Sequence, residues 1–170
     1  MLRTVLYKRP TAAGSLTYIV LKYLHVIGAT VILGTGAGIA FFMLMAHRTA
    51  NAEFIARTAG TVVNADVLFT ATAVILQPIT GYLLVREMGL SLTDVWIAMS
   101  LALYCVAGIF WLPVVFIQAR MRDLARASAS KSEALSAEYH RLFRLWFIFG
   151  FPGFGSVMAI IWLMIAKPTF

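Results

Sequence analysis

Few residues of this chain could do chemistry, and those that could lie among apolar neighbours. His25 comes first. An imidazole can ligate a metal or haem iron, relay a proton, or hydrogen-bond a neighbouring helix. Lys22 precedes it by nearly one helical turn, on almost the same face. Its ammonium can snorkel to lipid headgroups or hold an anionic group such as a porphyrin propionate. Further on, Asp66, Thr70, Ala73, Gln77 and Thr80, with Gly81 beside the last, are spaced by four, three, four and three residues. That spacing is one face of a helix. Asp66 with Asn64 suits a helix cap, where a carboxylate meets the positive end of the dipole. Gln77, next to Pro78, suits a polar contact between helices. A third stripe, Ser100, Tyr104, Gly108, Trp111 and Gln118, sets small residues beside aromatics. It fits either a planar ligand or a neighbouring helix.

Other chemistries are excluded. There is no nucleophile–histidine–acid set, no phosphate loop and no Cys-x-x-Cys pair. The run Gly34-Thr35-Gly36-Ala37-Gly38 is glycine-rich, but it lies within an apolar helix. The single cysteine, Cys105, cannot form an internal disulfide and suits a small core residue. His47 stands about 33 Å along the helix from His25 at 1.5 Å per residue. His140 should sit at the same end as His47, so a bis-histidine site on His25 is geometrically disfavoured. His47 and His140 could instead approach each other, in interfacial roles.

The elements that position these groups follow from composition. Of the 170 residues, 61% are hydrophobic and 12% charged. A soluble domain is usually about half apolar and about a quarter charged. Four apolar stretches take up most of the chain, at about 18–46, 62–85, 95–118 and 145–166, and each is long enough to cross a bilayer. The expected fold is all-α: an integral membrane four-helix bundle with short loops and no soluble domain. His25 then lies roughly 10 Å below the membrane surface. Gly34 and Gly38 form a small-xxx-small pair that would admit a neighbouring helix. Pro78, Pro113 and Pro152 fall inside the last three spans, where each frees a backbone carbonyl. Residues 49–61 read as a loop, as does the region near Ser128 to Ser136. Met1 to Ser15 read as a short polar tail. Its basic start, Arg3, Lys8 and Arg9, precedes an apolar run too long for a cleavable signal.

The net charge of +7 would suggest nucleic acid in a soluble protein. Here most basic residues flank the spans, so orientation and anionic headgroups explain them, and no nucleic-acid partner is expected. The loops after the first and third spans carry eight basic residues and the other side five. That asymmetry places both termini outside and the two larger loops in the cytoplasm.

Several segments carry a resemblance. They are Leu21-Lys22-Tyr23-Leu24-His25-Val26-Ile27, Leu33-Gly34-Thr35-Gly36, Gln77-Pro78-Ile79-Thr80-Gly81, Trp111-Leu112-Pro113-Val114-Val115, and Tyr139 to Phe147 with the ending Ala166-Lys167-Pro168. Together they resemble the bacterial predicted integral membrane proteins of the domain of unknown function 2269, over nearly the whole chain. The resemblance implies a four-span inner-membrane protein and no settled activity. More remotely, the opening and ending resemble the four-span haem-binding protoporphyrinogen oxidase family of bacteria. That resemblance implies haem binding by the first-span histidine, which maps onto His25. The family's other key residue, a lysine near the start of the third span, falls on Ser100 when the two are aligned on Trp96. This departure argues against protoporphyrinogen oxidation. A haem b held by His25, with Met99, Tyr104 or nothing opposite, remains compatible, because spans one and three start at the same depth.

Three functions therefore stand open. The first is a membrane protein that binds b-type haem or porphyrin and has a redox role. The second is a non-catalytic accessory or assembly subunit that packs through Gly34, Gly38 and the basic loop, as a homo-oligomer or within a larger complex. The third is a small transporter or proton-relay protein using His25, Asp66 and Gln77.

Overall fold

The computed structural model describes residues 14–168. The N-terminal tail read from the sequence, with its basic residues, lies almost entirely outside them. Four helices follow in order: α1 Leu16–Arg48, α2 Ala52–Met88, α3 Val95–Lys131 and α4 Ala137–Ala166. Each is long and apolar enough to cross a membrane. No strand occurs among the described residues. The all-α four-helix membrane bundle is therefore as expected.

Local signals set the helix ends. Ser15 Oγ accepts from Tyr18 N at 3.1 Å, Asn51 Oδ1 from Phe54 N at 2.9 Å, and Ser136 Oγ from Tyr139 N at 3.2 Å. Each satisfies a backbone donor that the first helical turn leaves free. Gly89, with φ of 67°, closes α2 in the left-handed conformation.

One expectation fails in α2. Residues 49–61 are not a loop, because the turn is over by Asn51 and α2 begins at Ala52. The first half of α2 is amphipathic rather than uniformly apolar. Ile55, Ala56, Ala59 and Val62 are buried, while Glu53 and Arg57 pair on the exposed side at 2.6 Å. Polar residues on the outer face lower the average apolarity without breaking the helix. At Asp66 the helix widens into one π turn, Asp66–Thr70, in which Ala71 N donates to Asp66 O.

The packing is uneven. α3 and α4 lie along each other, the first half of α2 packs on α3, and the second half packs on α1. One apolar core joins all four helices near the Arg48 end, built from Ile39, Met43, Ile55, Met121, Tyr139 and Phe143 with their neighbours. His47 stacks on Phe143 there, with ring centroids 3.6 Å apart, and stands 5.7 Å from His140. These two histidines do meet, as expected. Arg120 pairs with Glu138 at 3.0 Å across α3 and α4. Large apolar side chains such as Phe41, Leu68, Ile109, Phe116 and Trp162 face outward, where a bilayer replaces water as the solvent.

The glycine expectation also changes. A Cβ added at Gly34 or Gly38 would meet nothing within 4 Å, so no described helix of this chain approaches there. The close approach of α1 and α2 uses Gly28 and Gly81 instead. A Cβ at Gly28 would stand 3.3 Å from Gln77 Nε2, and one at Gly81 would stand 3.2 Å from His25 Cε1.

Pro78 has no N–H for the Val74 carbonyl, four residues before it. The Tyr104 hydroxyl of α3 donates to that carbonyl. Tyr104→Phe is therefore expected to cost about 1 kcal/mol. In a Pro78→Ala background, where the helix supplies its own donor, it should cost close to nothing. Reversible unfolding of the four variants in mixed micelles checks this.

Candidate functional site

Two polar centres lie along the buried face of α2. Asp66, Thr70, Ala73, Gln77 and Thr80 are each at most 8% exposed. The stripe read from the sequence thus faces the protein interior.

The first centre joins α2 to α1. His25 Nδ1 lies 2.8 Å from Thr80 Oγ1. That hydroxyl also stands 2.9 Å from Leu76 O and 3.2 Å from Gln77 O. With its one hydrogen on a carbonyl, its oxygen would accept from His25 Nδ1–H. In that arrangement the ring is the Nδ1–H tautomer, and Nε2 keeps its lone pair. Gln77 Nε2 donates to His25 O at 3.0 Å, which fixes the backbone behind the ring. Gln77 Oε1 is buried without a partner. Beside this centre, a groove of about 240 Å³ between α1 and α2 is lined mainly by apolar side chains, with Gly28, Gln77 and Thr80 at its edge.

The other candidate residues are placed differently. Lys22 is exposed, with its ammonium 5.6 Å from the centre of the Tyr18 ring, towards the helix start. That is the direction snorkelling requires. Met99 is 45% exposed. Ser100 is buried and donates to Trp96 O of its own helix at 2.7 Å. Tyr104 serves Val74 O. His25 therefore takes its hydrogen bonds from α2, not from Ser100 or Tyr104. Among the described residues, no three His, Cys, Asp or Glu side chains cluster as a metal site. A lone imidazole is a poor cage for a free ion, but it suffices for a haem, whose iron already has four porphyrin nitrogens.

The second centre joins α2 to α3 and α4. Asp66 is 4% exposed. Trp111 Nε1 donates to its Oδ1 at 3.3 Å. With the Gln118 amide turned so that both ends meet complementary groups, its nitrogen donates to Asp66 Oδ2 at 3.2 Å. Its oxygen then accepts from Trp146 Nε1 at 3.0 Å. Asp66 is therefore not the helix cap it resembles; it lies mid-helix and opens the π turn. π turns are frequent at functional sites. One turn on, Thr70 Oγ1 is buried without a partner. The sequence shows Trp111 and Gln118 on one stripe but not their convergence on Asp66, and Trp146 carries no signal for this role.

The fold and these buried polar centres define a polytopic helical membrane protein with ionisable groups inside the bilayer. The chain belongs to the family described as "Predicted integral membrane protein (DUF2269)", whose model matches residues 19–168. No curated protein and no solved structure matches it significantly.

Gln118→Leu strips Asp66 of one donor and leaves the Trp146 indole N–H unpaired. A loss of about 1–3 kcal/mol is expected, with Asp66→Asn costing less because the amide oxygen still accepts from Trp111. Unfolding in mixed micelles, with insertion as the control, measures both.

Proposed function

We propose that this integral membrane protein binds b-type haem or porphyrin through His25 and has a redox role. One observation carries the reading: His25 Nδ1 lies 2.8 Å from Thr80 Oγ1, a contact that, with Nδ1 protonated, leaves the Nε2 lone pair free. That is how proteins prepare a histidine for iron, because the second nitrogen's partner fixes the tautomer and raises basicity. When bound, haem would supply one-electron exchange. The chain's own part is to hold the ligand. Thr80 orients the ring, Gly81 leaves room beside it, and Gln77 restrains the backbone at His25. Lys22, nearer the membrane surface, would meet a propionate. Met99 is turned outward and the Tyr104 hydroxyl is engaged, so no second protein ligand is assigned. Ser100 stands where the protoporphyrinogen oxidase family has lysine, and that oxidation is not part of the proposal. The charge asymmetry supports termini on the non-cytoplasmic side, which is the periplasm if the membrane is the bacterial inner membrane that the resemblance implies.

A second reading is a non-catalytic accessory or assembly subunit, in a homo-oligomer or a larger complex. The glycines at 34 and 38 favour it, because they form a close-approach surface that no described helix of this chain uses.

The absorption spectrum of the detergent-purified protein, oxidised and dithionite-reduced, tests the choice. The expected result is a Soret band with reduced b-type α and β bands, stoichiometric with protein. His25→Ala should lose the haem yet still insert. Thr80→Val should keep it with affinity lowered about 10- to 100-fold. A flat visible spectrum from haem-replete cells would leave the accessory-subunit reading. Haem unchanged in His25→Ala would remove His25 as the ligand.

A further inference from the structure

Asp66 has no role in holding His25, and the haem reading does not use it. Ionisable groups in the membrane are costly and tend to mark pathways for ions or protons. Among the described residues, no lysine, arginine or histidine pairs with Asp66. Its surroundings are almost free of other charge. α1 has no titratable residue between Val26 and Ala46, and α4 has none between Leu145 and Ala166. Over the membrane part of α3, Val95 to Ala119, there are only Tyr104, whose hydroxyl is given to Val74 O, and Cys105, which is exposed. On α2 itself Asp66 is the one carboxyl or basic group between Thr58 and Val85, and the only other titratable residue there is the exposed Tyr82.

Among the described residues, two buried side-chain atoms make no hydrogen bond of full geometry, Gln77 Oε1 and Thr70 Oγ1, the latter beside the Asp66 carboxyl; both lie on the face of α2 that carries Asp66. The Val74 carbonyl with the Tyr104 hydroxyl lies between them in sequence. From Asp66 to Thr80 this polar line covers about 21 Å of helix at 1.5 Å per residue. Buried polar atoms left unpaired by protein groups are the places where internal water is held, provided other polar partners are near. In the other direction the line stops. Beyond Asp66 the buried residues of α2 are Val62, Ala59, Ala56 and Ile55, closed over by Ile39, Met43, Met121 and Phe143. Gln118, bridging Asp66 and Trp146, is the last polar group before that plug.

We propose that Asp66 is a proton-binding carboxyl loaded from one side of the membrane only, through water held along the buried face of α2 between Gln77 and Thr70. The side is the one at which α1 starts and α2 ends. The step is simple: the nearest water gives a proton to the carboxylate as it takes one from the next water, so that one O–H bond breaks for each that forms and the net proton comes from the aqueous phase, while Trp111 and Gln118 hold the group in place. The site does not depend on haem at His25, so failure of that reading leaves it standing, and the reverse also holds.

Infrared difference spectroscopy of the full chain in lipid nanodiscs, across a pH titration and on transfer to heavy water, tests this. The C=O band of a buried protonated carboxyl, at higher frequency than the bands of the six other acidic side chains, should appear as pH falls and shift on deuteration. Asp66→Asn should abolish it while preserving the fold, because the amide oxygen replaces one acceptor. Thr70→Val and Gln77→Leu should keep the band but slow its deuteration about tenfold or more, and Thr70→Ser should restore the rate. A carboxyl band absent at every pH, a band that survives in Asp66→Asn, or a rate unchanged in both Thr70→Val and Gln77→Leu would overturn the proposal.

Discussion

A polar group that loses its partner inside hydrocarbon has no water to turn to, and every other feature of this bundle answers to that constraint. α2 carries most of the exposed risk. It holds a carboxylate, two threonines and an amide on one face, together with a proline that frees a carbonyl. Most of these groups are met by a neighbouring helix: Asp66 by Trp111 and Gln118 of α3, Val74 O by Tyr104 of α3, and Thr80 and the Gln77 amide nitrogen by His25 of α1, whereas Thr70 Oγ1 and Gln77 Oε1 are left over. The bundle is thus pinned at three depths by polar contacts. The apolar core at the Arg48 end supplies the rest of the contact. Apolar burial alone does not hold helices together in lipid, because lipid tails are equally apolar. Specific polar contacts and close packing at Gly28 and Gly81 decide which helix meets which.

The same contacts turn packing into chemistry. The contact between His25 and Thr80 also bears on the tautomer of the ring, and so on which nitrogen could meet a ligand. Trp111 and Gln118 make the Asp66 carboxyl tolerable inside the membrane with no cation beside it. Structure and reactivity are the same set of bonds at both centres. They differ in their surroundings: His25 is half-buried beside a groove, whereas Asp66 is almost fully buried.

Much of this was legible in the sequence. Four apolar stretches gave the spans, and the spacing from Asp66 to Thr80 placed one polar stripe on the interior face. The failures have physical causes. Residues 52–61 read as a loop because Glu53, Arg57 and Thr61 lower their apolarity, yet Asn51 was a legible cap and Ile55, Ala59 and Val62 a legible buried stripe. Asp66 read as a cap because Asn64 and Asp66 stand where an apolar run begins, although the helix had already made several turns. The partners of Asp66 could not be read at all. Trp111 and Gln118 meet it, and Trp146 meets Gln118, only through the relative depth of three helices, and no single-helix periodicity encodes depth. Gly34 and Gly38 show the reverse case: a packing pattern within one helix does not say whether the partner lies in the same chain.

The tautomer of His25 in the haem-free protein, in a lipid bilayer, tests the hydrogen-bonded frame most directly. Solid-state NMR of nitrogen-labelled protein reads it from the two ring nitrogen shifts. A protonated Nδ1 and an unprotonated Nε2, with the pattern lost in Thr80→Val, are the expected result. An Nε2–H tautomer, with Nδ1 accepting from Thr80, would mean that α2 does not prepare this histidine as a ligand.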